Sequence, residues 1–324
     1  MPVIRFEGDS FVCNDGESVL ECLRRNGREI PFSCLSGVCG TCILRAIEGI
    51  PPSTSQASLK DTLRAQGYFL SCSCRPTSDM EVALGDGVGA RVPAVLTAIE
   101  PLNPTVVRVR ARAEKPFDYR AGQFASLLRH DGLARTYSLA SVPGIDPELE
   151  FHVARVPGGA MSEWLHRDAV PGMRIELLGP RGDCFYVPGN PDQPLFLLGT
   201  GTGLAPLYGI LRDAIHQGHR GPIHLFQGGL TRDGLYLVDE LREIAPAHAN
   251  VAYHPCVRDA DPADPLHGAI DEVAQRIVPN LKGWRVYLCG HPDMVTMMRK
   301  KTFLAGASMK EIFADAFIPS PKVS

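Results

Sequence analysis

The spacing of hydrophobic and polar positions changes twice along this chain. Residues 3–12 read as a short strand, Val-Ile-Arg-Phe, a turn at Gly8–Asp9 and a second strand starting at Phe11. A helix is expected from about Ser18 to Asn26, with Val19, Leu20 and Leu23 on its apolar face and Gly27 as its stop. A cysteine-rich loop over 34–42 then leads into a strand at 43–47, and a second cysteine region lies near 72. The glycine-rich stretch 84–93, closed by a proline, reads as a linker. From 92 to about 180, short alternating strands such as 106–112 and 124–129 recur between turn signals, with one helix at 160–169. That rhythm predicts a small antiparallel barrel. A second linker covers 187–194. Beyond it, continuous apolar strands at 195–199, 223–227 and 286–290 alternate with helical stretches at 206–217, 236–244 and 292–305. Such alternation belongs to a parallel sheet flanked by helices. The expected fold is therefore multi-domain: α+β over 1–90, an antiparallel β-barrel over 91–190, and an α/β parallel-sheet domain over 191–324.

Composition narrows the class. With 324 residues, 44% hydrophobic and 21% charged, the chain suits two or three globular domains. A net charge of −3 argues against a nucleic-acid surface. Residues 1–90 hold 8 basic and 11 acidic side chains, so the slight acidity sits in the first third and points to a basic protein partner. The opening residues show no export signal, and the longest apolar run, Leu195 to Leu211, is broken by four glycines and a proline. No membrane association is expected, and the location is expected to be cytoplasmic. Ten cysteines in a reducing compartment more often bind metal or do redox chemistry than form disulfides.

The sharpest signal is Cys34-x4-Cys39-x2-Cys42 followed 30 positions later by Cys72. This is the plant-type [2Fe–2S] spacing, in which two sulfide-bridged irons take four thiolates. Gly37 and Gly40 let the backbone wrap close and aim N–H groups at sulfur. Zinc would prefer a Cys-x2-Cys at both ends, whereas the far pair here is Cys72-x-Cys74. A thiol redox motif would use Cys39 and Cys42 but leave Cys34 and Cys72 idle. Cys74 is the alternative fourth ligand, ranked behind Cys72 on spacing. Cys13 and Cys22 are read as packing residues.

Within the barrel, Arg135-Thr136-Tyr137-Ser138 offers a flavin what a strand must supply: a guanidinium for the pyrophosphate, an aromatic ring face and a hydroxyl. Alone, an ordinary strand would produce this pattern. It gains weight from residues 157–165, where two glycines open onto a helix start, with Ser162 in its first turn, a natural phosphate site. His152 and Trp164 are expected to pack. In the last third, the strand entering Gly199-Thr200-Gly201-Thr202-Gly203 and a helix opened by Pro206 suits a pyrophosphate against helix N–H groups. It is not a P-loop, and Leu204 stands where the common dinucleotide fingerprint has its last glycine. Cys289-Gly290 ends another strand before a helix entered through Pro292. Isolated, it would read as a buried small pair.

Taken in order, these segments resemble the ferredoxin–NADP reductase superfamily, specifically members with an N-terminal plant-type ferredoxin domain such as the reductase components of Rieske aromatic-ring dioxygenases. The stretches 33–42, 135–141, 151–165, 199–206, 283–290 and 312–319 carry the likeness. The resemblance implies a β-grasp ferredoxin domain, an FAD barrel and an NAD(P) domain. It implies Cys34, Cys39, Cys42 and Cys72 as metal ligands. Arg135, Tyr137 and Ser138 become contacts to the flavin pyrophosphate, ring face and N5 edge, and Gly159, Met161 and Ser162 the phosphate-binding helix start. Gly199 to Pro206 become the nucleotide pyrophosphate loop, with Cys289 beside the nicotinamide. Asp315-Ala316-Phe317 matches an acidic-x-aromatic motif whose aromatic covers the other flavin face, although seven residues follow Phe317 here. Ser138, Cys289, Asp315 and Phe317 thus form the expected catalytic group.

The implied activity is transfer of electrons from NADH through FAD and a [2Fe–2S] cluster to a partner oxygenase or its separate ferredoxin. A reductase serving a di-iron monooxygenase, a desaturase or a deoxysugar dehydratase would use the same modules. A redox sensor without turnover would not need the intact hydride site, and a zinc scaffold would be colourless. Arg232 could favour NADPH through its 2′-phosphate, and Asp233 NADH through the free ribose hydroxyls. The resemblance favours NADH, with NADPH possible.

Overall fold

The computed structural model describes residues 1–30, 32, 35, 37, 42–84 and 90–317. The chain divides into two compact units, Met1–Val88 and Gly89–Ser324.

The first unit contains β1 (Val3–Phe6), β2 (Asp9–Val12), α1 (Val19–Arg25), β3 (Ile43–Glu48), α2 (Asp61–Ala65), β4 (Tyr68–Leu70) and β5 (Met80–Leu84). They form a sheet in the order β2-β1-β5-β3-β4, with β1 parallel to β5 and the other pairs antiparallel. The second strand begins at Asp9 rather than Phe11. Glu7 and Gly8 both take positive φ, which makes a two-residue hairpin turn and lets pairing resume at once, Phe6 opposite Asp9. Helix α1 starts where Ser18 and Glu21 cap each other reciprocally. Val19, Leu20, Cys22 and Leu23 then point into the core. Cys13 and Cys22 are fully buried there, as expected of packing residues.

The second unit opens with β6 (Ala90–Asn103), β7 (Val106–Ala113), β8 (Phe124–Leu128), β9 (Ala134–Ser138), β10 (Leu149–Ala154), α3 (Ala160–Arg167) and β11 (Arg174–Arg181). The stretch read as the first linker is only partly one. Residues 85–89 lie outside the described residues, but 90–93 already pair with β11, because buried Val92, Ala94 and Leu96 alternate as a strand requires. All pairs are antiparallel, in the order β10-β7-β6-β11-β8-β9. A bridge between Leu139 and Phe151 joins the two edges and closes the barrel around Leu96, Val109, Leu127, Phe151 and Leu177. Closure places Ser138 at the rim.

The rest alternates strand and helix: β12 (Leu195–Thr200), α4 (Leu204–His216), β13 (Ile223–Gly229), α5 (Val238–Ala247), β14 (Val251–Val257), α6 (Ile270–Ile277), β15 (Arg285–Gly290), α7 (Pro292–Leu304) and β16 (Ile312–Ala316). The sheet is wholly parallel, ordered β14-β13-β12-β15-β16. Leu195 and Leu197 face the cluster built with α4, while Phe196 and Leu198 face α6 and α7. Burial on both faces explains the uninterrupted apolar strands. The sequence reading did not name α6, β14 or β16 as elements. Pro255 disguises β14, which tolerates it as an edge strand.

A polar network, buried at Glu150, His152 and Tyr236, joins the barrel to this sheet. Arg108 ion-pairs with Glu150 at 3.2 Å and with Glu240 of α5 at 3.0 Å, and Tyr208 of α4 donates to Glu240 at 3.0 Å. His152 lies between Glu150 and the Tyr236 hydroxyl, at 2.9 and 3.1 Å. Burial would raise the Glu150 carboxyl, yet its contacts with His152, Arg108 and Arg110 outweigh this and bring it down to about 2. Burial lowers His152, so the neutral ring donates to Glu150 and accepts from Tyr236.

Candidate functional site

In the first unit, Cys42 immediately precedes β3 and Cys72 sits on the short turn Ser71–Ser73. The carbonyl of Cys42 accepts from both the N–H and the hydroxyl of Ser71, at 3.1 and 2.8 Å, which locks the two thiol-bearing segments together. The Gly37 carbonyl accepts from Ser58 Oγ at 2.7 Å, and a Cβ built on Gly37 would stand 2.9 Å from Ser73 Oγ. Gly37 and Cys42 therefore both lie against the turn that carries Cys72. Cys34 and Cys39 lie outside the described residues. Cys72 is half-buried, whereas Cys74 is fully buried among Leu20, Phe69 and Leu70, and its carbonyl accepts the first N–H of α1. Cys74 shares that core with Cys13, Cys22 and Cys42.

In the second unit, β9 delivers the flavin candidates. Arg135 and Tyr137 are half-buried on one face of the strand, and Ser138, at its end, is buried. The Arg135 guanidinium bonds only the Ala134 carbonyl, at 2.7 Å, and among the described residues has no carboxylate partner. A half-buried cation in that state is fit to receive a pyrophosphate. Gly159 caps α3. The Met161 side chain goes to the barrel core, and the Ser162 hydroxyl accepts from the Val156 N–H at 3.1 Å and donates to the Gly159 carbonyl, also at 3.1 Å. These side chains shape the turn, leaving its first N–H groups as the ones a phosphate can use.

A cleft of about 1090 Å³ opens at the carboxyl ends of β12, β13 and β15. Thr200, Gly201 and Thr202 line it, while Gly199, Gly203 and Pro206 are not on its wall. Gly201, at φ +56°, has nothing within 4 Å of an ideal Cβ, so its backbone faces the open cleft. Gly203 has the opposite reason to be glycine: its Cβ would stand 2.2 Å from the Cys289 carbonyl oxygen. Gly203→Ala is accordingly expected to push α4 off β15, costing about 1–3 kcal/mol and slowing reduction by NADH. Thermal unfolding and stopped-flow traces would check both.

β15 and β16 run side by side, with Cys289 opposite Asp315 and Gly290 opposite Ala316. The Phe317 N–H donates to the Gly290 carbonyl at 2.8 Å, and both residues line the cleft. Ser138 Oγ donates to Asp315 Oδ2 at 3.5 Å, joining barrel rim and sheet end. Burial pushes the Asp315 carboxyl up to about 6, with nearby Asp183 adding to it. Cys289 is fully buried, its sulfur 3.7 Å from that of Cys184, and burial raises its thiol well above the ordinary value. The fold thus joins Ser138 to Asp315, sets Phe317 on the cleft wall two residues further on, and buries Cys289 in the strand beside Asp315. Asp183 and Cys184 were missed in the sequence, because a lone Asp-Cys in a connecting loop carries no spacing signal.

Three protein-family models match in chain order. They are the 2Fe-2S iron-sulfur cluster binding domain over residues 4–77, the oxidoreductase FAD-binding domain over 94–186 and the oxidoreductase NAD-binding domain over 197–300. The ferredoxin–NAD(P)(+) reductase component of the naphthalene 1,2-dioxygenase system of Pseudomonas putida is 35% identical over 311 residues, covering 94% of each chain. The chain belongs to this family of iron–sulfur flavoprotein reductases. The reductase subunit of an aromatic O-demethylase from Amycolatopsis is 34% identical over 328 residues, covering 95% of this chain and 96% of that one. The crystal structure of a cytochrome P450 reductase from Amycolatopsis matches with a TM-score of 0.68 at 32% identity, over 98% of this chain and 99% of the other.

Like its relatives, this reductase has a ferredoxin domain, an antiparallel FAD barrel and a parallel-sheet NAD domain, and it is an oxidoreductase using FAD, a 2Fe-2S cluster and NAD(P)H. No helix among the described residues is long and apolar enough to cross a membrane.

Proposed function

We propose that this reductase takes electrons from NADH and delivers them singly to a partner oxygenase of the Rieske aromatic-ring type, or to that oxygenase's separate ferredoxin. The observation that carries the reading is the Ser138–Asp315 contact between barrel rim and sheet end, two residues before Phe317 on the cleft wall. When bound, FAD would supply two-electron hydride chemistry and the [2Fe–2S] cluster one-electron transfer.

The chain's own residues prepare that exchange. Cys34, Cys39, Cys42 and Cys72 hold the cluster. Arg135 neutralises the flavin pyrophosphate, the first turn after Gly159 offers N–H groups to phosphate, and Tyr137 covers one ring face. The Ser138 hydroxyl, donated to Asp315, is fixed at the reacting edge. Phe317, anchored through its N–H to Gly290, would shield the other face of a bound flavin from water. Thr200, Gly201 and Thr202 receive the coenzyme pyrophosphate, with Gly199, Gly203 and Pro206 shaping the turn beneath. Buried Cys289 supports this floor through its backbone rather than its thiol. Domain limits fall near residues 90 and 190, and the reductase works in the cytoplasm.

The experiment is a visible spectrum of anaerobically purified protein, before and after NADH and then NADPH. Iron–sulfur and flavin bands that NADH bleaches rapidly are the expected result. A colourless protein, or one that neither nucleotide bleaches, would remove the reading.

A further inference from the structure

The two residues that leave coenzyme choice open in the sequence have different surroundings in the fold. Asp233 follows β13 and lines the cleft, with Thr231 and Gly234 beside it. Arg232, between them, is not on the wall. Its guanidinium forks onto Asp264, Nε to Oδ2 at 2.7 Å and Nη2 to Oδ1 at 2.5 Å. Asp264 is itself fixed: Oδ1 accepts from the Leu266 N–H at 2.8 Å, and its carbonyl accepts from the His267 N–H at 2.9 Å. The acceptor is therefore set before the arginine arrives, which favours a two-point pair over the loose exposed contacts that contribute little.

The cleft wall is otherwise acidic. Asp233, Asp271 and Asp293 stand on it against the single guanidinium of Arg258, which is held at 3.3 Å by its neighbour Asp259. Lys301 takes up the charge of Asp271 at 2.5 Å. An acid after the second parallel strand suits the two ribose hydroxyls, and a 2′-phosphate set against it would meet like charge.

We propose that Asp264 is a specificity-determining residue, which makes the reductase selective for NADH by holding the Arg232 guanidinium away from the coenzyme's 2′ position. The inference rests on the cleft being the coenzyme site. Asp264 is not on the cleft wall; it acts through Arg232, and is a positioning residue.

Asp264→Asn keeps the acceptor for the Leu266 N–H and removes the charge that holds Arg232. Its ratio of kcat/KM for NADPH over NADH should rise about 10-fold or more, the worth of one charge-assisted hydrogen bond to phosphate. Inhibition by 2′-AMP should strengthen relative to 5′-AMP in parallel. Arg232→Met in the parent chain should leave the coenzyme ratio as it was, and Arg232→Met with Asp264→Asn should lose the gain. An unchanged ratio in Asp264→Asn while NADH still reduces the protein would overturn the inference alone. So would a gain that survives in the double variant, or a ratio that shifts in Arg232→Met. A parent protein reduced by neither nucleotide would overturn the cleft reading and this inference with it.

Discussion

Cys72→Ser is expected to abolish the iron–sulfur absorption and the transfer to a one-electron acceptor such as cytochrome c, while NADH still bleaches the flavin. A [2Fe–2S] centre of this type needs four thiolates, and a serine hydroxyl is a poor substitute for one of them. The neighbouring Cys74→Ser should do something different. Cys74 is fully buried beside Phe69 and Leu70, so the variant buries a hydroxyl in an apolar core and loses about 1–3 kcal/mol of stability. Its cluster should remain. Iron and sulfide analysis of the two variants, with their spectra, separates the cases. Retention of the cluster in Cys72→Ser together with its loss in Cys74→Ser would reverse the assignment.

The second large effect concerns Asp315. Burial is the main reason its carboxyl stands at about 6 rather than the ordinary 3.8. An acid whose folded pKa lies above its unfolded value stabilises the fold while protonated. That contribution is complete below about pH 4 and is lost as pH rises through about 6. Asp315→Asn imitates the protonated side chain. At pH 8 it should match or exceed the parent in stability, by about 1–2 kcal/mol once residual solvent contact is allowed for, and the difference should vanish towards pH 4. Activity should move the other way. Without a charged acceptor for the Ser138 hydroxyl, flavin reduction by NADH should slow about tenfold. The parent's reduction rate should change through pH 6, and the variant's should be flat. Stopped-flow reduction from pH 5 to 9, with thermal unfolding at the same values, tests both halves. A parent rate indifferent to pH, or a variant less stable at pH 8, would sink this account of Asp315.

The features readable in the sequence were those with a local cause. The spacing of Cys34, Cys39, Cys42 and Cys72, the helix from about Ser18 and the apolar runs of β12, β13 and β15 all speak through neighbours in the chain. What escaped depends on distant partners. The arginine-or-acid ambiguity at 232–233 takes its structural form from Asp264, 32 residues further on. Cys289 lies near the end of its strand, and only its full burial against Cys184 shows that its thiol faces inward. The stretch 84–93 has a linker's composition, yet alternation from Val92 carries its last residues into the barrel. Composition and pairing compete there, and pairing prevails because one face of the strand is buried.

The contacts among Arg108, Glu150, His152, Tyr236 and half-exposed Glu240 limit how the second unit can be recombined. The chain passes from barrel to sheet through exposed residues near 190, which invites a splice between relatives at that point. A graft cut there would carry Arg108, Glu150 and His152 on one side, and Tyr236 and Glu240 on the other. If the incoming half lacked the phenol and the carboxylate, a buried imidazole and a buried guanidinium would each lose a partner. The portable piece of this reductase is therefore barrel and sheet together, and interchange of nucleotide-binding halves among such enzymes is confined to those that share both sides of the join.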